Sequence, residues 1–246
     1  MNIRTLKYSL GVLGQCSKHV NSQYQKTPTS QLREVQIALG TCRDNFAWGA
    51  DLRRLDYHTA GRRNVARATS HLEAMRFLYM WTAVNALFSR DSILSLLHNS
   101  VLPKPELDRF MILYNAASLP SATTQHTLAT LCNTLGTHRA PKTFPWSSRR
   151  PLRVIDVIHW KYTPDAYKAN NRTSKKIQQI VQNGLPLTTL SLPEIIYSSR
   201  NWLVHGSLVD TSFRGNPSEF QKYMWTLSEF TAMIIEHVSV RIRNAV

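Results

Sequence analysis

RNVARATSHLEAMRFLYMWTAVNALFSR, residues 63–90, is the stretch that decides the fold class. Its large apolar side chains recur three and four residues apart, as at Leu72, Met75 and Tyr79, and this period places them on one face of a helix. Similar patterns recur along most of the chain, whereas no stretch has the strict alternation of a strand or the turn dipeptides of a hairpin. The sequence therefore predicts an all-α fold.

Further helices are predicted on both sides of this segment, while residues 1–28 give an ambiguous pattern. The best-defined boundary is at Ser191, because Pro193 lies inside the first turn and Glu194 follows the serine by three residues, as in a capping box. The predicted helices lie at residues 30–57, 63–90, 92–102, 106–117, 124–135, about 191–206 and 217–244, with another ending near Val181.

Length and charge limit both the organisation and the partners of the chain. With 246 residues, 43% of them hydrophobic, we expect a single domain, with a multi-helix core from about 63 to 246 and a helical extension over 1–62. There are 30 lysines and arginines against 15 acidic residues, which gives a net charge of +15. Twenty of the basic residues are arginines, which bind phosphate through a planar fork, so the composition predicts a nucleic-acid partner.

A basic, proline-rich loop is predicted between Arg139 and Arg153. Pro141, Pro145 and Pro151 prevent a continuous helix there. Basic and aromatic side chains alternate along it, as expected of a loop that stacks on bases and neutralises the RNA backbone. A solvated loop fixed in place by one tryptophan explains the same residues equally well. The candidate RNA contacts are Arg139, Lys142, Trp146, Arg149, Arg150 and Arg153.

The cysteines and the apolar segments predict a protein of a reducing compartment. Cys16, Cys42 and Cys132 are odd in number and far apart, so they form neither a disulfide framework nor a metal-binding knuckle. The most apolar segment, Phe77–Phe88, is too short to span a membrane. We therefore expect a cytoplasmic protein that makes no contact with a membrane.

Several familiar catalytic motifs are absent from the sequence. It contains no phosphate-binding GxxxxGK[ST] loop, no GxSxG elbow, no HExxH and no calcium-binding loop. With only 15 carboxylates in the chain, a metal-dependent nuclease site is hard to assemble. The sequence therefore predicts neither a metal site nor a cofactor.

One Arg–His pair is distinguished by its surroundings. Arg200 and His205 are separated by four residues, but Arg53/His58 and Arg153/His159 have a comparable spacing. Chance predicts about two such pairs in a chain of this composition, so spacing alone decides nothing. A polar residue follows Arg200 and an apolar run precedes His205, and the other two pairs fit this pattern less well.

In that context the pair resembles the Arg-x(4–6)-His motif of the HEPN superfamily, all-helical proteins that include many metal-independent ribonucleases. The upstream segment Trp81–Phe88 begins with an aromatic residue and contains Asn85, and it resembles a second helix of that family. The resemblance covers roughly residues 70–90 and 190–240.

The resemblance implies an endoribonuclease in which Arg200, Asn201 and His205 are catalytic and Asn85 and Tyr197 support them. It also implies a homodimer that pairs two motifs across a two-fold axis, because each chain offers one such histidine. A toxin or antiviral-defence effector of a prokaryote is the implied biological role, and this would bring an antitoxin or another regulatory partner.

The chemistry of metal-free RNA cleavage fits these residue types. A base removes the proton of the 2′-OH, which attacks the adjacent phosphorus, and an acid protonates the leaving 5′-oxygen. Histidine titrates near neutrality and can take either role, while Arg200 would stabilise the charge that develops on the phosphorane. At 100° per residue Asn201 and His205 share a helix face, so Asn201 would orient His205 or a phosphate oxygen.

Other interpretations account for the same residues. Arg200 could form a structural salt bridge with Glu194 or Asp210 and leave His205 as a helix cap. Trp202, Leu203 and Val204 are expected in the core rather than stacked on bases. At the level of function, the alternative is a non-catalytic RNA-binding or scaffold protein. A helical DNA-binding protein unrelated to the HEPN superfamily is a third reading.

Overall fold

The computed structural model describes residues 3–53, 65–117, 192–204 and 217–246, and within these ranges the chain forms helices and no strand. The predicted all-α fold is confirmed. The helices predicted over 124–135 and near Val181 lie outside the described residues. In chain order the helices are α1 (Ile3–Lys26), α2 (Ser30–Asp51), α3 (Val65–Phe88), α4 (Asp91–Leu97), α5 (Glu106–Ala117), α6 (Leu192–Val204) and α7 (Pro217–Ala245).

The helix boundaries follow local signals in most cases. α5 has the predicted bounds, and α2 begins after Thr29, whose side-chain oxygen accepts a hydrogen bond from the Leu32 N–H at 3.1 Å. α4 ends at Leu97, five residues before the predicted end, because the polar residues that follow and Pro103 do not continue a helix. α1 is one continuous helix of 24 residues, whereas the sequence left residues 1–28 ambiguous and predicted them only as part of a helical extension over 1–62.

The chain divides into two compact units. The described residues of the first are 3–52, 76–117 and 228–246, and those of the second are 53, 65–75, 192–204 and 217–227. The first unit therefore brings α1 and α2 together with the C-terminal part of α7. The prediction of a single domain over residues 1–246 stays a prediction.

The core of the first unit is formed mainly by apolar side chains. α1 packs on α2, and α4 packs on both α2 and α5. Trp81 and Phe110 make an edge-to-face contact with ring centroids 4.9 Å apart, and Phe88 lies 5.7 Å from each of them. One hydrogen bond, from Ser9 Oγ to Glu236 Oε2 at 2.7 Å, joins α1 to α7. Fully buried side chains include Leu6, Leu13, Leu39, Phe46, Phe77, Met80, Leu87, Phe110 and Phe230.

Two arginines of the first unit hold the ends of earlier helices. The buried guanidinium of Arg76 donates to the carbonyls of Gly49, Ala50 and Leu52 at 2.5, 3.2 and 2.7 Å, at the C-terminus of α2. Arg109 likewise donates from Nε to the carbonyl of Phe88, the last residue of α3, at 2.9 Å. These carbonyls have no partner within their own helices, and a cation there also complements the helix dipole.

The two cysteines that the structure describes are buried free thiols. Cys16 lies on α1 and Cys42 on α2. Burial raises the pKa of Cys16 to about 12, and it raises the pKa of Cys42 even further from its ordinary value. Both groups are therefore protonated at neutral pH, and as thiols they are weak nucleophiles. Cys132 lies outside the described residues.

Candidate functional site

α6 carries the arginine of the predicted motif, and it begins as the sequence indicates. Leu192 is its first residue, Pro193 its second, and Glu194 lies in the first turn. Proline is tolerated there because the first N–H groups of a helix have no intrahelical partner. Ile196 and Leu203, seven residues apart, are both buried, and they define the side of α6 that faces the interior.

A buried hydrogen bond joins α6 to α7. Ser199 Oγ and Tyr223 Oη are 3.0 Å apart, and either hydroxyl can be the donor. Both side chains are fully buried. Burial raises the pKa of Tyr223 well above its ordinary value, and the bond to Ser199 opposes this only in part, so the phenol is neutral at physiological pH. Because Ser199 directly precedes Arg200, the bond fixes the rotation of α6 next to the motif arginine.

We expect the Ser199–Tyr223 bond to appear as a coupling energy in a double-mutant cycle. Ser199→Ala and Tyr223→Phe should each lower the free energy of unfolding by about 1–2 kcal/mol, because each removes a buried hydrogen bond between the two hydroxyls. The double variant should lose less than the sum of the two. Urea denaturation followed by circular dichroism measures all three. Ser239→Ala is the matched control, since that hydroxyl bonds only to the Ile235 carbonyl of its own helix. Strict additivity of the two single effects contradicts the coupling.

Arg200 is held by its neighbour in the sequence. Its Nη1 donates to Asn201 Oδ1 at 2.6 Å, a charge-assisted hydrogen bond to a neutral acceptor. Asn201 is buried and Arg200 is half-buried. The contact restricts the long arginine side chain without neutralising its charge. The sequence predicted that Asn201 would orient His205 or a phosphate, and this hydrogen bond gives it a partner that the pattern did not indicate.

Arg200 shares one side of α6 with Tyr197 and Val204. At about 100° per residue, the spacings of three and four residues align the three side chains. Tyr197 and Arg200 are half-buried, and Val204 is 54% exposed. Val204 was predicted as part of the core, and this is wrong because it points about 100° away from buried Leu203 around the helix. The side chain of Trp202 lies outside the described residues.

The structure reaches only part of the predicted site. His205 follows the last described residue of α6 and lies outside the described residues. So do the candidate RNA contacts Arg139, Lys142, Trp146, Arg149, Arg150 and Arg153. Asn85 is half-buried on α3 in the first unit, whereas Arg200 and Asn201 belong to the second unit. The predicted support of the motif by Asn85 therefore stays a prediction.

Sequence reasoning missed Ser199 and Tyr223. The sequence contains a partial indication that Tyr223 makes a buried hydrogen bond. Tyr223 lies on the apolar stripe of α7 with Leu227 and Phe230, and a buried phenol requires a hydrogen-bond partner. That requirement does not identify the partner, since α6 offers two consecutive serines, Ser198 and Ser199.

Neither a metal-binding cluster nor a membrane-spanning helix occurs in the part of the chain that the structure describes. No group of three or more His, Cys, Asp or Glu side chains is arranged there so that it could hold a metal ion. Among these same residues, no helix has both the length and the apolar character needed to cross a membrane.

Comparison with known proteins adds no relative. No protein-family model matches the chain, and no significant match is found among curated proteins or among solved structures. The resemblance to the HEPN superfamily therefore depends on the residues quoted above.

Proposed function

We propose that the chain is a metal-independent endoribonuclease that cleaves RNA through attack of the 2′-OH on the adjacent phosphorus. The observation that carries the proposal is the placement of Arg200, a cation on the partly exposed side of α6, restrained by a 2.6 Å hydrogen bond from Nη1 to Asn201. A guanidinium held in this way stabilises a developing phosphorane without a large loss of side-chain freedom. The net charge of +15 supports a polyanionic substrate.

In the proposed reaction His205 transfers a proton and Arg200 stabilises the transition state. The 2′-oxygen forms a bond to phosphorus as its proton passes to a base, and the bond from phosphorus to the 5′-oxygen breaks as an acid protonates that oxygen. The products are a 2′,3′-cyclic phosphate and a 5′-hydroxyl end. DNA lacks the 2′-OH and is not cut. Asn201 fixes the direction of the Arg200 side chain.

The proposed assembly is a homodimer in which two α6 helices face each other. Each chain supplies one His205, while the reaction uses an acid and a base together. The side of α6 with Tyr197, Arg200 and Val204 supports this arrangement, because the large exposed fraction of Val204 gives apolar surface beside the arginine. A cytoplasmic toxin or defence effector with an antitoxin or regulatory partner is the corresponding biological proposal.

The test is an assay of the purified full chain with mixed RNA in EDTA. We expect cleavage without divalent ions, with 2′,3′-cyclic phosphate ends that are identified by their resistance to phosphatase until acid opens the ring. Duplex and single-stranded DNA are the matched substrates and should stay intact. Cleavage that requires a divalent ion, or products without the cyclic phosphate, would contradict the proposal.

A second candidate is a non-catalytic RNA-binding protein. The same hydrogen bond from Arg200 to Asn201 favours it, because a guanidinium that is partly occupied inside its own helix can be structural. Such a protein would bind RNA with an affinity that falls steeply with salt, and it would leave the RNA intact at every protein concentration. Filter binding beside the cleavage assay separates the two candidates.

A further inference from the structure

The outward face of α2 exposes two large apolar side chains. Trp48 is 67% exposed and Ile37 is 49% exposed. The opposite face of the same helix packs into the core of the first unit through Val35, Leu39 and Phe46, which are fully buried. α2 therefore has one face inside the unit and another face that carries apolar surface to solvent.

Trp48 packs beside one aromatic ring on this surface. Its ring lies 6.2 Å from that of Tyr79 on α3, with the planes tilted by 33°. The two helices approach closely just beyond it, because a Cβ added to Gly49 would lie 3.1 Å from Tyr79 Cβ and 3.1 Å from Met80 Cε. An exposed tryptophan gives much contact area and loses the freedom of only two side-chain torsions on binding, which is typical of a protein interface.

The charges on the same face are placed against the local preference of a helix. Arg33 lies in the first turn of α2 and Asp51 is its last residue, and both are exposed. The helix dipole favours the reverse order, with acids near the N-terminus and bases near the C-terminus. At 100° per residue, Ile37 and Trp48 lie within an arc of about 60° that also contains Arg33 and Asp51. Residues that violate a local preference, such as that of the helix dipole, often have a functional role.

We propose that this face of α2 binds the same face of α2 in a second copy of the chain, with the two helices antiparallel and the two-fold axis at the level of residue 42. Because Arg33 and Asp51 are equally distant from that level, each arginine then lies opposite the partner's aspartate. Ile37 and Trp48 are also nearly equidistant from it, so each isoleucine meets the partner's tryptophan. One helix thus supplies both halves of a self-complementary contact, as a two-fold interface requires.

The charge of α2 favours a second copy of the chain over RNA as the partner that binds this face. α2 has two arginines and three carboxylates, a net charge of −1 within a chain of net charge +15. Asp51 lies one turn beyond Trp48, where it would repel phosphates, while Asp44, one turn before Trp48, is paired with Arg43 Nη2 at 3.3 Å. The net negative charge of α2 lowers the repulsion between two basic chains at this contact, and salt screens the remainder, since the Debye length is about 8 Å at physiological ionic strength.

The contact is expected to be of moderate strength. The face extends from Arg33 to Asp51, roughly 27 Å at about 1.5 Å per residue. One helix from each copy buries less area than the roughly 1,600 Å² of a standard interface, so we expect a dissociation constant on the order of micromolar. This surface is distinct from the side of α6 in the proposed ribonuclease, and the inference does not depend on RNA cleavage.

Charge-reversal variants test the contact, because each single variant should weaken self-association and the double variant should restore it. Arg33→Asp places two aspartates opposite each other at both symmetric positions, and Asp51→Arg does the same with two arginines. Each single variant should weaken association on the order of tenfold in sedimentation equilibrium of the full chain at physiological salt. The double variant R33D/D51R restores opposite charges at both positions and should return to the wild-type dissociation constant.

Net charge and folding are controlled in the same experiment. Arg33→Asp lowers the net charge of the chain, which by itself would favour association, so weaker association identifies a local contact. Arg241→Asp makes the same change at an exposed site on α7 and should not weaken association. Ile37→Ala and Trp48→Ala should each weaken association about tenfold or more with unchanged circular dichroism.

Three outcomes would overturn the proposal. The first is a wild-type chain that stays monomeric at 100-fold above the expected micromolar range. The second is single reversals that leave association unchanged, or a double variant that is not restored, because the antiparallel register requires both effects. The third is a Trp48→Ala chain with lower RNA affinity and unchanged self-association, which would assign this surface to RNA.

Discussion

Replacing His205 with alanine is expected to lower the rate of RNA cleavage in EDTA on the order of a hundredfold or more. Alanine removes the group proposed to transfer the proton, while Arg200 and its bond to Asn201 are kept, so RNA affinity should change little. Arg200→Ala should also lower the cleavage rate, because it removes the charge that stabilises the phosphorane. Arg200→Lys should cleave faster than Arg200→Ala but more slowly than the wild type, since lysine keeps the charge and lacks the planar fork. Single-turnover cleavage at saturating protein measures the chemical step for each variant.

The chain itself supplies matched controls for this experiment. His58 and His159 also follow an arginine at the spacing of the motif, but their surroundings fit it less well. His58→Ala and His159→Ala should therefore cleave RNA within about twofold of the wild-type rate, since neither histidine is proposed to transfer a proton. If one of these variants loses the activity and His205→Ala keeps it, the choice of the 200/205 pair by its context is wrong.

Periodicity predicted most of the fold, and its failures have physical causes. The pattern of α1 was ambiguous because Gly11 and Gly14 each disfavour a helix by about 1 kcal/mol relative to alanine and interrupt the apolar spacing. Burial of Leu6 and Leu13 in the core of the first unit outweighs that cost, and most helical stability in proteins comes from such packing. The sequence shows that the two glycines disfavour a helix, but it does not show the core contacts whose burial outweighs that cost.

In the candidate site, too, the sequence predicted features that depend on neighbouring residues and did not predict features that depend on tertiary contacts. The start of α6, the burial of Leu203 and the candidate role of Arg200 all follow from residues close together in the sequence. The bond between Ser199 and Tyr223 joins residues 24 positions apart, and the exposure of Val204 depends on how α6 packs. Contacts of this kind are set by tertiary structure, so the arginine could be chosen from the sequence, whereas the groups that hold its helix could not.

Replacing the buried Arg76 with methionine is expected to lower the free energy of unfolding by about 3 kcal/mol. Methionine keeps most of the apolar stem but removes the donors to three carbonyls at the end of α2, two of which belong to the buried residues Gly49 and Ala50. Water cannot readily reach those carbonyls, so they would lose their hydrogen bonds without replacement. Arg76→Lys keeps a charge but loses the fork, and we expect an intermediate loss. Urea denaturation followed by circular dichroism measures each variant.

Arg109→Met is the matched control, since Arg109 is also an arginine that holds the end of an earlier helix. Its salt bridge is to Asp91, at 2.7 Å, whose side chain is 76% exposed. Asp91 would be solvated by water once the arginine is gone, and of the carbonyls that Arg109 binds only that of Phe88 belongs to a buried residue, so the expected loss is smaller, about 1–2 kcal/mol. A larger loss for Arg109→Met than for Arg76→Met would show that burial of the carbonyls does not determine the cost.

Because Arg76 also fixes the last turn of α2, which carries Trp48 and Asp51, Arg76→Met should weaken the proposed α2 contact between copies, whereas Arg109→Met should leave it unchanged.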